Sequence, residues 1–148
     1  MENPSENFFV EAIDKFCNFY QQLNSRDISG LADVYADNIE FIDPIATHNG
    51  ISAVQNYFAK LLSGTRSCDF SILSVDRVDQ NHYFVTWVMQ FESIKLSGKV
   101  IRVEGLSQLK TDETHVIYHR DYYDMGELVY EHIPIIGYWI KKIKRQLK

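Results

Sequence analysis

The chain has 148 residues, a length typical of one domain, and its 45% hydrophobic residues are enough to build a core. The charged fraction of 24% is that of a folded soluble protein and excludes a disordered one. A net charge of -5 argues against general nucleic-acid binding, which needs a positive surface. We therefore expect a single domain over 1–148 without nucleic acid as a partner.

The sequence lacks the patterns that are typical of a zinc site, a signal peptide or a membrane-spanning helix. Cys17 and Cys68 stand alone rather than in zinc-type pairs, and the sequence contains no apolar run of about 18 residues. The polar stretch Met1–Asn7 lacks the pattern of a signal peptide. We expect a cytoplasmic protein that holds no metal and needs no cofactor.

The first part of the chain has apolar residues at helical spacing. The pattern predicts three helices, at about 8–23, 28–36 and 51–63. Asp27 can cap the second helix, and Gly64 ends the third. Between these two helices, residues 38–43 alternate as a short strand that Pro44 ends.

From Cys68 onward the apolar period changes to two, which is typical of strands. The runs predict four strands, at about 69–79, 82–93, 99–111 and 114–124. Their connections are short enough for hairpins, and strands this long should twist and coil. Helices followed by an antiparallel meander indicate an α+β fold with the helices on one face of the sheet.

The last segment, about 127–148, predicts an amphipathic basic helix whose final section can begin at Pro134. Its apolar side consists of Ile136, Trp139, Ile140, Ile143 and Leu147. Such a stripe needs a cover. We expect it to pack on its own domain or on a twin subunit in a homodimer, in preference to a membrane surface.

The segment Tyr35–Pro44 (YADNIEFIDP), with Asp27–Leu31 before it and Asn49–Ile51 after it, resembles the ketosteroid isomerase and SnoaL-like polyketide cyclase group of the nuclear transport factor two-like fold. The resemblance covers about 8–124. It implies a cone, in which helices close a strongly curved antiparallel sheet around a small, mostly apolar pocket. It also implies that a small hydrophobic molecule binds there, and that an enzyme would be an acid–base isomerase or cyclase acting on a carbonyl compound.

Asp43 is the first candidate catalytic residue. Its place before proline favours a local turn role, whereas the resemblance implies a base that moves a proton beside a carbonyl. The oxyanion-binding tyrosine of the isomerases falls on Phe19, and the adjacent Tyr20 points about 100° away on a helix. Their second oxyanion acid falls near Glu104, which strand alternation places opposite the apolar face. The missing oxyanion hole argues against steroid isomerisation.

The last strand carries the second set of candidates, because His119, Asp121 and Tyr123 share one of its faces. In SnoaL-like cyclases an Asp on the last long strand faces the cavity as the acid–base group, and Asp121 is the best match. His119 is a further catalytic candidate, and Tyr123 is a candidate ligand-binding residue. The alternative is the solvated face of an edge strand.

Other side chains are candidates for the wall of the pocket: Tyr20, Tyr35, His48, Trp87 and Met89. Tyr35 is expected on the second helix, where core packing is an equal alternative. His48 is expected in a loop at the pocket mouth, where simple exposure is the alternative. Trp87 and Met89 lie on a strand that is apolar on both faces, so core packing also accounts for them.

Three hypotheses for the function remain. The first is a small-molecule-binding protein with cofactor-independent acid–base activity. The second is a non-enzymatic ligand-binding or homodimer assembly module that uses the open sheet face. The third is a peripheral docking protein that uses the basic C-terminal helix. A ligand on Asp121 would favour the first, a pocket collapsed by aromatic side chains the second, and binding to anionic vesicles the third.

Overall fold

The structure is a computed structural model that describes residues 4–96 and 98–148. The α-helices of these residues are Pro4–Gln21 (α1), Leu31–Val34 (α2), Ile51–Ser63 (α3), Met125–Leu128 (α4) and Ile136–Gln146 (α5). The strands are Tyr35–Ile42 (β1), Thr47–Asn49 (β2), Thr65–Asp79 (β3), His82–Ser93 (β4), Val100–Thr111 (β5) and Val116–Tyr123 (β6). Short 3-10 turns lie at Leu23–Ser25 and Tyr130–His132.

One six-stranded sheet has the order β2-β1-β6-β5-β4-β3 and is open at both edges. The predicted α+β architecture is confirmed, and so is the meander from β3 to β6. The strongly curved antiparallel sheet is confirmed in four of its five strand pairings, and the structure adds one parallel pairing, between β1 and β6. The long connection from β1 to β6 permits this pairing, which a hairpin would not. As a result β6 lies inside the sheet, and the edge-strand alternative for it is wrong.

The sheet curls because its longest strand is irregular. The pairing of β3 with β4 shifts register between Thr65 and Ser67, between Ile72 and Ser74, and between Arg77 and Asp79. Extra residues of this kind bend a strand and increase its twist. The inner face of the curl meets α1 and α3, and the core lies between them.

The core is built from side chains that the helical and strand periods bring to this inner face. Its fully buried members include Phe16, Leu23, Leu31, Ile39, Phe41, Phe58, Val85, Ile101 and Leu109. Burial of each such side chain contributes roughly 1.5–3 kcal/mol. Met89 is also a member of this core, which agrees with core packing, the alternative to a place in the pocket wall.

The predicted second helix is mostly absent. Only Leu31–Val34 is helical, and Tyr35 already has extended backbone as the first residue of β1. Asp27 does not cap the helix; its Oδ1 accepts from the backbone N–H of Ser29 in a local turn. Tyr35 pairs with Val116 of β6, so sheet formation overrides the helical pattern at this point.

The C-terminal segment is divided rather than continuous. Asp124 Oδ1 accepts from the backbone N–H of Gly126 at 2.7 Å and caps α4. Ile135 has a φ of 73° and separates the 3-10 turn from α5. Four of the five apolar side chains of the α5 stripe are exposed and only Ile140 is half-buried, so the expected packing of the stripe on its own domain is wrong for the described residues. Packing on a twin subunit stays a prediction.

Within the described residues, no helix has the length and apolar character needed to cross a membrane.

Candidate functional site

A chain of hydrogen bonds runs from α1 through β1 to β6. The Tyr20 hydroxyl on α1 lies 2.8 Å from the Tyr35 hydroxyl at the start of β1. The Tyr35 hydroxyl lies 2.7 Å from Nδ1 of His119 on β6. Nε2 of His119 lies 2.6 Å from Oδ1 of Asp121, two residues along the same strand. These four side chains form one connected network in the interior.

A second branch reaches the same carboxylate from β4 and β5. The sheet register places Ser107 of β5 opposite Asp121, and its hydroxyl donates to Oδ1 at 2.5 Å. The indole N–H of Trp87 on β4 donates to Ser107 Oγ at 2.8 Å. Sequence reasoning named Trp87 but missed Ser107, because its partners lie on two other strands and only the register reveals them.

The protons of this network fit one arrangement. If His119 is neutral and protonated on Nε2, it donates to Asp121 and accepts from Tyr35 on Nδ1. Tyr35 then accepts from Tyr20, and every hydroxyl hydrogen has a partner. Burial raises the pKa of Tyr20 well above its ordinary value, and the charge of Asp121 raises it further, so Tyr20 stays a donor. All donors of both branches lead to the Asp121 carboxylate.

The imidazole of His119 is held among aromatic rings. Its side chain is fully buried, and the parallel β1–β6 register brings Phe41 to it with ring centroids 4.3 Å apart. The rings of Phe16 and Tyr35 lie at 5.4 and 5.8 Å. An uncompensated positive charge is costly in such a shell. The Asp121 carboxylate is the group that would balance it.

Asp121 joins this buried network to the outside. Its side chain is 15% exposed, while that of His119 is 0% exposed. Oδ1 takes the hydrogen bonds of both branches, and Oδ2 accepts none from the described residues. The carboxylate is therefore held in one orientation with a free oxygen, which is the arrangement needed to take up a proton from a bound molecule.

Asp43 has the local turn role that was one of its two alternatives, and its second oxygen lies in a different setting. Its Oδ1 accepts from the backbone N–H groups of Ile45 and Ala46 at 2.8 and 2.9 Å, as a turn residue does. Its Oδ2 is buried and has no hydrogen-bond partner among the described residues. An unpaired buried oxygen costs about 1–3 kcal/mol, so this atom is a place where a ligand donor would be stabilised.

Two tyrosines, Tyr57 and Tyr123, lie within the electrostatic reach of both carboxylates. Burial raises the pKa of Tyr57 well above its ordinary value, and the charges of Asp43 and Asp121 both add to the rise. The pKa of Tyr123 is raised by burial and by the same two carboxylates. Tyr57 makes no hydrogen bond of ordinary geometry to the buried Oδ2 of Asp43. Both phenols remain neutral donors beside two anionic groups.

His48 lies in a different setting from the expected loop. It belongs to β2 and pairs with Phe41 of β1, because residues 47–49 extend the sheet at its edge. Its ring is half-buried, 4.5 Å from that of Tyr57, and Nε2 is buried without a partner among the described residues. His48 and Tyr57, which sequence reasoning did not single out, thus join Asp43 in a second polar group.

The two other positions that the isomerase resemblance indicates, Glu104 and Phe19, lie outside the hydrogen-bonded network. Glu104 is exposed on the outer face and pairs with Arg102 at 2.9 Å, so it lies away from the network. Phe19 borders a surface cavity of about 310 Å³ between α1 and residues 27–34, which contains neither carboxylate of the site. No group of three potential metal ligands lies together among the residues that the structure describes.

Comparisons with known proteins agree with this architecture. No curated protein matches the chain. Solved structures that are similar include a protein with a ketosteroid isomerase-like fold from Catenulispora acidiphila in complex with trimethylamine (16% identity, TM-score 0.69, covering 80% of this chain and 89% of the other). A candidate SnoaL-like polyketide cyclase from Jannaschia sp. has 15% identity and a TM-score of 0.67, covering 84% and 91%. A candidate isomerase from Bacillus subtilis has 18% identity and a TM-score of 0.70, covering 80% and 89%.

At these identities the structural likeness concerns the fold. The family evidence comes from the sequence itself, because residues 17–119 match the SnoaL-like domain. The match covers more than half of the chain and includes α2, α3 and the sheet as far as His119. The chain belongs to the SnoaL-like domain family.

Proposed function

We propose that this protein binds a small hydrophobic carbonyl compound between its helices and the inner face of the sheet, and that Asp121 moves a proton on it without a cofactor. The observation that carries the proposal is the convergence of both hydrogen-bonded branches on one oxygen of Asp121, with the other oxygen left free. A carboxylate that is fixed in this way needs little reorganisation to act as a base.

The reaction follows from the groups around Asp121. Oδ2 takes a proton from the carbon beside the carbonyl, and the electrons of that C–H bond form an enolate. A neutral phenol, Tyr57 or Tyr123, donates a hydrogen bond to the enolate oxygen, and the charges of both Asp43 and Asp121 keep these phenols protonated. In an isomerase the proton returns to another carbon. In a cyclase the enolate carbon attacks a second carbonyl, whose oxygen receives the proton.

His119 and the two tyrosines behind it are positioning residues in this scheme. The ring orients Oδ1 of Asp121 and spreads its charge over a chain that ends at Tyr20. The names of similar proteins, a candidate polyketide cyclase and a candidate isomerase, support the same class of reaction. The complex of a third with trimethylamine supports binding of a small molecule in this fold.

Exchange of carbon-bound hydrogen tests the proposal without knowledge of the natural substrate. We would incubate the protein with 2-tetralone in heavy water and follow deuterium at the carbon beside the carbonyl by NMR. The wild-type chain is expected to accelerate the exchange. Asp121→Asn keeps the shape but removes the base, so the accelerated rate should fall by a factor on the order of 10²–10⁴.

Glu104→Gln is the matched control, because it neutralises a carboxylate on the neighbouring strand that faces outward. It should leave the exchange rate unchanged. Binding of 2-tetralone, measured by quenching of tryptophan fluorescence, should survive Asp121→Asn. Equal exchange rates for the wild-type chain and Asp121→Asn would show that Asp121 is not the base.

A second function, homodimer assembly without catalysis, has support from the outer face of the sheet. Leu106 and Tyr122 pair across β5 and β6 on the side opposite Asp121, and Tyr122 is exposed. Aromatic rings also fill much of the interior around the network. A chain that forms dimers in sedimentation experiments but neither binds 2-tetralone nor exchanges its hydrogen would favour this function.

A further inference from the structure

Helix α5 carries an apolar stripe of which four of five side chains are exposed in the described structure, while Ile140 is half-buried. Ile136, Trp139 and Ile143 are 50%, 54% and 53% exposed, and Leu147 is 82% exposed. At about 100° per residue, these side chains and Ile140 fall within one sector roughly 100° wide. A continuous exposed stripe of this kind marks a surface that meets another apolar phase.

The charge of this helix is opposite to that of the rest of the chain. Residues 136–148 contain no acidic residue and five basic ones: Lys141, Lys142, Lys144, Arg145 and Lys148. The remaining residues hold 10 basic against 20 acidic side chains. The helix is therefore attracted to a negative surface from which the body is repelled.

The positions of the cations favour a diffuse negative surface over a single acidic group. They are spread around the whole polar side of the helix, and Lys144 and Lys142 border the apolar sector on its two sides at about 100° per residue. In this position Lys142 can extend its ammonium group toward headgroups while the stripe is buried, whereas Lys144 is paired with Asp124 of the body. Two α5 helices placed stripe to stripe would instead bring these like charges together.

An ion pair between Lys144 and Asp124 connects the polar side of α5 to the body. Lys144 Nζ lies 3.2 Å from Oδ2 of Asp124, the residue that caps α4, so part of the polar side faces the domain. Trp139 lies at the edge of the stripe, with Lys142 Nζ 5.0 Å from its ring centroid. Tryptophan is the residue type that concentrates at the boundary between headgroups and acyl chains.

From these observations we propose that α5 lies flat on an anionic lipid surface, with its apolar stripe at the headgroup–acyl boundary and its basic residues among the headgroups. Helices of this composition bind membranes by apolar burial together with attraction to anionic lipids. The acidic body then stands away from the membrane. A site that takes up hydrophobic compounds would in this way be held near the phase in which such compounds dissolve.

Flotation of the full chain with vesicles tests the proposal. The chain should bind vesicles of phosphatidylcholine mixed with phosphatidylglycerol, but not vesicles of phosphatidylcholine alone. The double variant Trp139→Ser/Ile143→Ser should lower the partition coefficient by about tenfold or more, since it removes two large apolar side chains from the contact. Lys141→Gln/Arg145→Gln should have an effect of similar size, and raised salt should weaken wild-type binding.

Tyr138→Ser is the matched control, because it removes a 59% exposed aromatic residue from the opposite side of the same helix. It should leave binding unchanged. Three results would overturn the proposal: equal binding to neutral and anionic vesicles, no binding to either, or equal losses in Tyr138→Ser and in the stripe variant. A dimer in solution that Trp139→Ser/Ile143→Ser dissociates would also overturn it, since a second copy would then cover the stripe.

Discussion

Two carboxylates of the candidate site, Asp121 and Asp43, have different distributions of hydrogen bonds. One oxygen of the partly exposed Asp121 accepts from two side chains, and its other oxygen accepts from no described residue. Asp43 uses one oxygen in a turn and keeps the other buried without a described partner. Tyr57 and Tyr123 lie in the field of both charges. Paired carboxylates in unlike environments are the usual basis for separate acid and base roles. This asymmetry is why we assign proton transfer to Asp121 and ligand orientation to the group around Asp43.

Replacing Tyr35 by Phe tests the hydrogen-bonded chain at its midpoint. The change leaves the Tyr20 hydroxyl and Nδ1 of His119 without their partner in the interior. We expect the free energy of unfolding to fall by about 1–3 kcal/mol, measured by urea denaturation. If Tyr35 also orients the catalytic pair, the exchange rate of bound 2-tetralone should fall while its binding persists.

The control for this prediction is Tyr118→Phe. Tyr118 lies on β6 next to His119 but on the outer face, where Lys110 sits over its ring. Its hydroxyl has no hydrogen bond among the described residues, so its loss should be nearly neutral. Equal destabilisation by the two variants would mean that the interior chain contributes no more than an outer phenol does.

Gly105 allows Trp87 to lie where it does. The two residues are opposite each other on β5 and β4, and the indole occupies the space in which a Cβ atom at position 105 would stand. Gly105→Ala should destabilise the protein by about 1–3 kcal/mol, because the rigid ring must move and its bond to Ser107 is disturbed. Thermal unfolding measures this. Gly30→Ala is the control, since its added methyl would meet Phe19 only at an ordinary distance of 3.8 Å.

At the scale of elements, the strands were predictable because alternation is a strictly local signal. The predicted meander agrees with β3 to β6 to within a few residues, and the third helix agrees with α3. The second helix and the entry of β1 into the sheet were not predictable in this way. Both depend on the pairing of Tyr35 with Val116, which lies far away along the chain. The side chain of Arg26 also donates hydrogen bonds to the backbone carbonyls of Leu62 and Thr65, and these contacts likewise join residues that are distant in the sequence.

The candidate site shows the same division. Alternation along β6 brought His119, Asp121 and Tyr123 to one face without any knowledge of the fold. Ser107 and Tyr57 could not be found in this way, since the first needs the β5–β6 register and the second needs the docking of α3 on the sheet. Site residues that lie on the same strand could therefore be predicted from the sequence, whereas site residues that meet only through the packing of different elements could not.

The element-scale prediction concerns α5. If the stripe packed on its own domain, removal of residues 134–148 would destabilise the protein. The exposed position of the stripe leads to the opposite expectation, because the deletion removes little buried side-chain surface. Among the described contacts with the rest of the domain, it removes the exposed Lys144–Asp124 pair and the bond from the Gly137 N–H to the carbonyl of Ile133. The melting temperature should change by no more than about 2–4 °C. Aggregation or a large drop on truncation would mean that α5 covers part of the core in solution.

The molecule as a whole has an acidic body and a basic C-terminal helix. The ionisable groups of the body with the most strongly raised pKa values are interior tyrosines that are buried near two carboxylates. Burial raises the pKa of Tyr20, Tyr35 and Tyr57, and the charge of Asp121 adds to each rise. The folded core keeps these phenols neutral. At a pH where the unfolded chain can ionise them, the free energy of unfolding falls.

This leads to a prediction about alkaline stability. In the unfolded chain a tyrosine has a pKa of about 10, below that of the buried groups, so above this pH the folded state binds more protons than the unfolded state does. The stabilisation is fully present below about pH 10 and is lost as the pH rises toward the folded pKa values. Each buried phenol should add a slope of up to about 1.4 kcal/mol per pH unit to the fall in the free energy of unfolding. Urea denaturation from about pH 8 to about pH 11 measures this slope across the titration range.

Tyr57→Phe should make the fall of the free energy of unfolding with pH shallower, because it removes one buried phenol. Tyr138→Phe, which changes an exposed phenol, should leave the slope unchanged. Identical slopes in the two variants would contradict the view that the interior phenols are held neutral by burial and by the carboxylates beside them.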